Sequence, residues 1–336
     1  MTESGKITIR DVARRAGVSL GTASRAMNAA PGVMARTRAT VEAAARELGY
    51  QPNAAARALR SRSSRLIGCL FTDMENPLYA RLYNALQDRM AEEGFVTLIN
   101  ASSGRADREI RAVQTFAERG LDAIVVAPGN ETDADLLALL RDFPAPIVVV
   151  DRDMEIGADR VLFDHDAGIR AAVSYLAGLG HRRILPVFSP IDTRPGRMRG
   201  TAFDAAMAEA GLDVRLRVMP KTPNSPVFDE VCAALAGPDR ATAMIVQGTH
   251  VLSSTLNALA RLGLRVPEDM SLIAIGDSAT TTDHVPALTA LRLDRDGMVA
   301  LIADRLLARI RGLDGPGQDD VIAYELVKRG SCTPPA

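Results

Sequence analysis

The pattern of apolar and polar positions changes once along the chain, near residue 65. Before that point it predicts three short helices. Thr8-Ile9-Arg10-Asp11 opens the first, with Thr8 as N-cap and Asp11 at the reciprocal position of a capping box, and "RDVARRAG" stops at Gly17. Ser19 begins the second, Leu20 to Asn28, and a third runs from about Ala35 to Leu48 and ends at Gly49. "YQPNAAARALRSRSSR" follows, broken at Pro52, and reads as a linker with latent helicity.

From Leu66 onward, short apolar runs alternate with amphipathic segments. The runs "LIGCLF", "FVTLIN", "DAIVVA", "PIVVVD", "RVLF", "RILPVF", "AMIVQG", "SLIAIG" and "ALTALRL" are candidate strands. Between them lie helices such as "PLYARLYNALQDRMAEEG", "DAGIRAAVSYLAGLG" and "VLSSTLNALARLG". Strand and helix in alternation predict parallel sheets covered on both faces, and this many strands predicts two sheets. Ligands of such folds bind outside the carboxyl ends of the strands. Residues just after each apolar run are therefore the ones to inspect.

The second predicted helix raises a question of its own. Gly21 lies inside it, where glycine costs roughly 0.5–1 kcal/mol relative to alanine. With residues about 100° apart, Leu20, Gly21, Ser24, Arg25 and Asn28 share one arc, Ala23, Ala26 and Met27 lie opposite, and Thr22 is near the edge. One face is small and apolar, and the other is exposed. Two short helices joined by a glycine turn, the second with Arg and Asn outward, match a helix-turn-helix whose second helix enters the DNA major groove. The competing reading is an ordinary helical hairpin. Charge bears on the choice: residues 1–65 hold 12 Lys+Arg against 4 Asp+Glu, so a net −1 for the whole chain hides a basic head and an acidic remainder. A basic block placed there suits a polyanion.

Composition removes several classes. No apolar run approaches the roughly 18 residues of a membrane span, and "MTESGKITIR" lacks the apolar stretch of a secretory signal, so a cytoplasmic location is expected. Cys69, Cys232 and Cys332 are far apart and lack metal-ligand spacing, which argues against disulfides and zinc. No cofactor or metal is expected. "IGDSATTTDH" offers Ser278, Asp283 and His284 as a hydrolase-like group, but all three sit in one loop, unlike the dispersed partners of a nucleophilic triad. Without a G-x-G-x-x-G or P-loop signature, dehydrogenase and kinase readings lack their phosphate cradle. An enzyme acting on a small carbohydrate stays the alternative. An exported solute-binding protein would need the signal that is missing.

"ITIRDVARRAGVSLGTASRAMN", "VEAAARELGYQPNAAARALRS" and "RLIG" together resemble the opening of the lactose-repressor (LacI/GalR) family of transcription regulators. Later segments match in the same order: "ENPLYARL", "VVVDR", "LAGLGHRRI", "ARLGLRVPEDMSLIAIGD", "PALTALR" and "ELVKRGS". The resemblance implies an N-terminal all-α helix-turn-helix head and an α/β two-lobe, periplasmic-binding-protein-like effector domain with two parallel sheets flanked by helices. The expected boundaries are 1–50 for the head, 51–63 for a hinge, 64–163 and 294–320 for the first lobe, 164–293 and 321–330 for the second, and 331–336 for a tail.

In DNA binding, the resemblance implies that Thr8 and Asn28 hold the backbone, that Leu20 and Gly21 vary with operator sequence, and that Arg25 contacts bases. Arginine donating twice to a guanine edge supplies about 1–3 kcal/mol of discrimination. Thr22 and Ser24 suit phosphate contacts, which position but do not specify. Asn53 to Arg60 resembles the family's minor-groove hinge helix, too short for a stable isolated helix, with Leu59 as the wedge between base pairs and Ala56 the small residue beside it. Met34 stands where relatives carry a capping serine, so the expectation is either a frayed start to the third helix or a phosphate contact shifted to Thr37.

For the effector, the resemblance assigns Arg199 and Asp277 to the second lobe and Asp73, Asn76, Tyr79 and Asp151 to the first-lobe lining. The chain departs from the pattern at Ala202, at Gly276, at Leu293, and at Gly248-Thr249, which replaces a common Asn-Asp pair. Carboxylates and amides bind sugar hydroxyls through paired hydrogen bonds. With Arg199 kept and acids fewer, a sugar acid competes with a plain sugar. The expected protein is an allosteric repressor whose partners are a pseudo-palindromic double-stranded operator, a small effector and a second copy of itself, a homodimer rather than a tetramer because "SCTPPA" adds no heptad helix.

Overall fold

The computed structural model describes residues 7–28, 30–50, 63–188, 192–214, 216–221, 225–248 and 250–335. The expectations for Asn53, Ala56, Leu59 and Thr249 lie outside the described residues. The chain divides into two compact units, residues 1–64 and 65–336.

In the first unit, α1 (Ile9–Ala16), α2 (Leu20–Met27) and α3 (Ala35–Glu47) follow the predicted signals. The Thr8 backbone N–H donates to Asp11 Oδ2 at 2.9 Å, and the Thr8 hydroxyl donates to the same oxygen at 2.7 Å. Gly17 ends α1 in the left-handed region, with φ +67°, where a side chain is strained. Ser19 caps α2 by accepting from the Thr22 N–H at 3.1 Å. Met34 gives α3 no side-chain cap. Val12, Ala13, Ala23, Ala26, Val41, Ala44 and Ala45 form the core. Mostly alanine, it lets three short helices approach closely, and tertiary packing, rather than helix length, stabilises them.

The second unit has two lobes. In the first, β1 (Leu66–Phe71), β2 (Val96–Ala101), β3 (Ala123–Ala127), β4 (Ile147–Val150), β5 (Asp159–Phe163) and β10 (Asp319–Ile322) form one sheet in the order β10-β5-β4-β3-β1-β2. All its pairings are parallel. Alternate β1 residues feed opposite cores. Cys69 and Phe71 pack with Leu82, Leu86 and Met90 of α4 (Pro77–Glu92) and with Ile302 and Leu306 of α12 (Arg295–Ile310). Leu70 packs with Val113 and Phe116 of α5 (Ala106–Glu118) and Leu136 of α6 (Ala134–Arg141). Each such fully buried side chain contributes about 1.5–3 kcal/mol.

The second lobe holds β6 (Ile184–Val187), β7 (Ala243–Gln247), β8 (Ser271–Ile275), β9 (Thr289–Leu293) and β11 (Tyr324–Val327), in the order β11-β9-β8-β7-β6. Only β11 runs antiparallel to its neighbour, an exception to the expected parallel sheet. The helices α7 (His165–Gly178) and α8 (Arg194–Glu209) cover one face, and α9 (Phe228–Leu235) and α10 (His250–Arg261) the other. A single-turn α11 spans Ala279–Thr282.

The chain passes between lobes after β5, after β9 and between β10 and β11. The last passage falls at Ala323, because Val321 and Ile322 pair with Leu162 and Phe163 of β5; the expected boundary after residue 320 is corrected to that extent. The expected tail also belongs partly to the lobe. Ser331 Oγ donates to Leu272 O at 2.6 Å, and the Thr333 N–H donates to Ser271 Oγ at 3.0 Å. Among the described residues no helix is long and apolar enough to cross a membrane.

Candidate functional site

On α2, period and packing agree. Ala23 and Ala26 are buried, whereas Leu20, Gly21, Arg25 and Asn28 are exposed and Ser24 and Thr22 are half-buried. Leu20 is 44% exposed, a high value for leucine on a helix whose opposite face forms a core. No acidic side chain among the described residues pairs with Arg25. Thr22 Oγ1 lies 2.9 Å from Ser19 Oγ, and Asn28 Nδ2 donates to Ser24 O at 2.8 Å, so both also secure the ends of the helix. A Cβ on Gly21 would meet nothing closer than Ser19 Oγ at 4.0 Å. Nothing in the head's own packing therefore requires glycine there. Thr8 is exposed and Thr37 half-buried near the start of α3.

The second candidate is a cleft between the two lobes, at the carboxyl ends of β7, β8 and β9. Asn76, Leu78 and Arg81 line it from the first lobe, and Arg199, Gln247, Gly248, Asp277 and Arg292 from the second; Arg295 opens α12 and Tyr324 opens β11 at its edge. Asn76 caps α4, accepting the Leu78 N–H at 3.0 Å. Arg199 Nε donates to His165 Nδ1 and Nη1 to Gln247 Oε1, each at 3.3 Å. Burial pushes the Tyr324 hydroxyl up to about 12, so it stays protonated.

Asp277 is already engaged. Its two oxygens accept from Arg329 Nη1 at 2.9 Å and Nη2 at 2.7 Å, and Thr281 Oγ1 donates at 2.7 Å. Burial works against this carboxylate, but Arg329 and Thr281 outweigh it and hold it below the usual range. Gly248 is fixed by backbone proximity: its N–H donates to Ile275 O at 2.9 Å, and a Cβ would stand 2.6 Å from that oxygen. An asparagine does not fit without moving the strand end.

Three expected lining residues stand elsewhere. Asp73 closes the loop before α4, accepting the Glu75 N–H at 2.8 Å. Tyr79 is buried, stacked on Phe71 with centroids 5.0 Å apart, and its hydroxyl accepts from Arg152 at 3.1 Å. Asp151, with φ +52°, is buried where the lobes meet. It accepts from the Phe163 N–H at 3.2 Å, Arg194 Nη1 at 2.6 Å and His165 Nε2 at 2.8 Å. The carboxylate serves the junction between lobes and is not among the residues that line the cleft. Arg81, Gln247, Arg292, Arg295 and Tyr324 escaped the sequence reading. Gln247 and Arg295 follow the apolar parts of predicted strands, so the strand-end rule pointed to both.

The lobes also touch at two margins. His250 Nε2 lies 2.9 Å from Glu75 Oε2, and Arg81 Nη1 donates to Asp277 O at 3.4 Å. On the other margin Arg197 meets Glu131 at 2.5 Å and Asp153 at 2.8 Å.

Comparison with known proteins agrees with this architecture. The pattern described as "Bacterial regulatory proteins, lacI family" matches residues 8–53. "Periplasmic binding proteins and sugar binding domain of LacI family" matches 64–229, and "Periplasmic binding protein-like domain" matches 173–332. The HTH-type transcriptional repressor PurR of Serratia proteamaculans is 30% identical over 96% of this chain and 96% of its own length. The ribose operon repressor of Escherichia coli K12 is 30% identical over 96% and 99%. Among solved structures, a Lac repressor dimer bound to operator and the anti-inducer ONPF superposes with a TM-score of 0.86 at 25% identity, covering 97% of this chain and 99% of that one. The transcriptional regulator CelR in complex with cellobiose gives a TM-score of 0.70 at 25% identity, with the same coverage. The chain belongs to the lacI family of bacterial regulatory proteins: it is a DNA-binding transcriptional repressor under the control of a small-molecule effector, and not an enzyme.

Proposed function

We propose that this repressor acts in the cytoplasm as a homodimer that reads a pseudo-palindromic operator with α2 and binds a sugar or sugar acid between its lobes. Arg25 reads a guanine edge, Leu20 offers apolar contact, as to a thymine methyl, and Gly21 lets the helix approach closely. Thr8, Thr22, Ser24, Asn28 and Thr37 hold phosphates. Asn53, Ala56 and Leu59 act as a hinge in the minor groove, with Leu59 the wedge. In the cleft, Asn76, Arg199, Gly248, Thr249 and Asp277 serve the effector, Asp277 through the position it gives Arg329 and Arg81 rather than through a free carboxylate.

The observation that carries the DNA reading is the exposed guanidinium of Arg25, with no acidic partner among the described residues, on a helix whose other face is a closed core. The related Lac repressor, solved as a dimer on operator, supports the dimeric mode. The test is selection of duplexes from a random pool by the full chain, repeated with Arg25→Ala. A lost guanine preference at one symmetric pair of positions, with affinity for the selected duplex down about 10–100-fold, is expected. Unchanged preference removes the base-reading role.

A further inference from the structure

We infer that the effector is a small organic anion, with a carboxylate or a phosphate, and that it draws the lobes together by bridging guanidiniums from opposite sides of the cleft. This rests on the cleft being the effector site. Arg81 belongs to α4 of the first lobe, Arg199 to α8 of the second, and Arg295 to the first residue of α12, just after the chain leaves β9. Arg292, on β9, is paired with Glu325 at 2.7 Å.

The sole carboxylate lining the cleft, among the described residues, is Asp277, and Arg329 occupies both its oxygens. Arg81, Arg199 and Arg295 have no carboxylate partner among the described residues. Among the described residues, Arg81 reaches the backbone oxygen of Asp277 at 3.4 Å, and Arg199 reaches the neutral groups of His165 and Gln247, each at 3.3 Å, and the Tyr324 hydroxyl. Burial pushes the His165 ring towards its neutral form, so it remains an acceptor for Arg199.

A guanidinium donates hydrogen bonds and accepts none. A neutral polyol needs acceptors for its hydroxyl protons, and the acidic ones here are spoken for. An anion needs donors, and charge-assisted bonds to it are roughly twice as strong as neutral ones. Like charges on facing lobes repel, and an anion between them replaces that repulsion with attraction from both sides. The same contact that selects the ligand therefore favours the closed arrangement, which is the differential interaction a ligand needs to shift lobe geometry.

The experiment measures thermal unfolding and calorimetric affinity of the full chain with gluconate, glucose 6-phosphate, inorganic phosphate and glucose, each at the same ionic strength set with sodium chloride. At least one anion raises the melting temperature above the chloride reference while glucose does not, and the comparison of gluconate with the two phosphates separates carboxylate from phosphate recognition. Arg81→Gln and Arg295→Gln, both at exposed positions, each weaken the best anion about tenfold or more. Glucose binding as well as the anions, or no anion exceeding chloride, overturns the inference. Sensitivity to Arg199→Gln without sensitivity to Arg81→Gln or Arg295→Gln, both on helices of the first lobe, overturns the bridging while leaving the cleft as the site. A response that survives all three substitutions places binding elsewhere, and the cleft reading fails with it.

Discussion

Arg194 Nη1 of α8 lies 2.6 Å from Asp151 Oδ1 at the end of β4, a buried ion pair that fastens the second lobe to the first. Arg197, on the same helix, meets Glu131 and Asp153, and Arg199 faces the cleft. One helix thus carries both a fastening between lobes and an arginine that lines the cleft. On the proposed reading, a shift of Arg199 towards an effector would be carried along α8 to that junction.

Removing the charge of Arg194 leaves Asp151 buried with His165, Arg152 and the Phe163 N–H. Burial pushes Asp151 up, while the His165 ring, Arg194 and Arg152 bring it down to about 2. Breaking a buried pair from one side costs about 3–5 kcal/mol. Arg194→Gln is expected at the lower end, about 3 kcal/mol, because partners remain. Urea unfolding of the second unit's transition checks this, and a loss under about 1 kcal/mol would mark the pair as dispensable.

Stability should fall as pH drops from 7.5 towards 5. Burial lowers the pKa of both His165 and His181. Unfolded chains then bind protons near pH 6.5 that the folded protein refuses, so stability is greatest above that value and is lost below it, down to the lowered native pKa. Asp151 acts in a separate window: its contribution is present above about 3.9 and lost as pH falls towards about 2. His181→Gln should flatten part of the slope between pH 7.5 and 5 in thermal melts. A slope that this variant leaves untouched would place the proton uptake on other groups.

Gly21→Ala separates folding from recognition. Its Cβ enters open space, so the head should gain about 0.5–1 kcal/mol. Operator affinity should nonetheless fall, because the methyl group stands on the face that approaches the groove. Melting of the head and fluorescence anisotropy on the selected duplex give the two readings, and a gain in both would make the glycine incidental to recognition.

Restoring the family's asparagine at Gly248 should harm rather than help. The 2.6 Å approach to Ile275 O forces the ends of β7 and β8 apart, and overpacking of this kind costs about 1–3 kcal/mol. Gly248→Asn is therefore expected to lower the melting temperature of the second unit without creating tighter sugar binding in calorimetry. Improved glucose binding at unchanged stability would contradict the backbone constraint.

What was legible in the sequence followed from periodicity. The two faces of α2 could be drawn from its 100° spacing, and the central strands from uninterrupted apolar runs such as "IVVV" and "SLIAI". β10 and β11 escaped because they are short edge strands in which exposed and half-buried positions outnumber buried ones, so "DDVI" and "YELV" have no apolar run to show. The cleft was half legible. Asn76, Arg199, Gly248 and Asp277 line the cleft, but a sequence does not say which way a carboxylate faces, and Asp151 turns to Arg194 and His165. Arg81 comes from a segment far from Arg292 and Arg295, and only the sheet order and the crossings between lobes bring them to one opening.

The most direct test is fluorescence anisotropy of the full chain on its selected operator, titrated with and without a saturating cleft anion, alongside Arg199→Gln. Coupling between the sites predicts that operator affinity changes about 5–150-fold on saturation, that the operator changes anion affinity by the same factor, and that Arg199→Gln abolishes both. Operator affinity that stays the same while calorimetry shows the cleft filled would contradict the account.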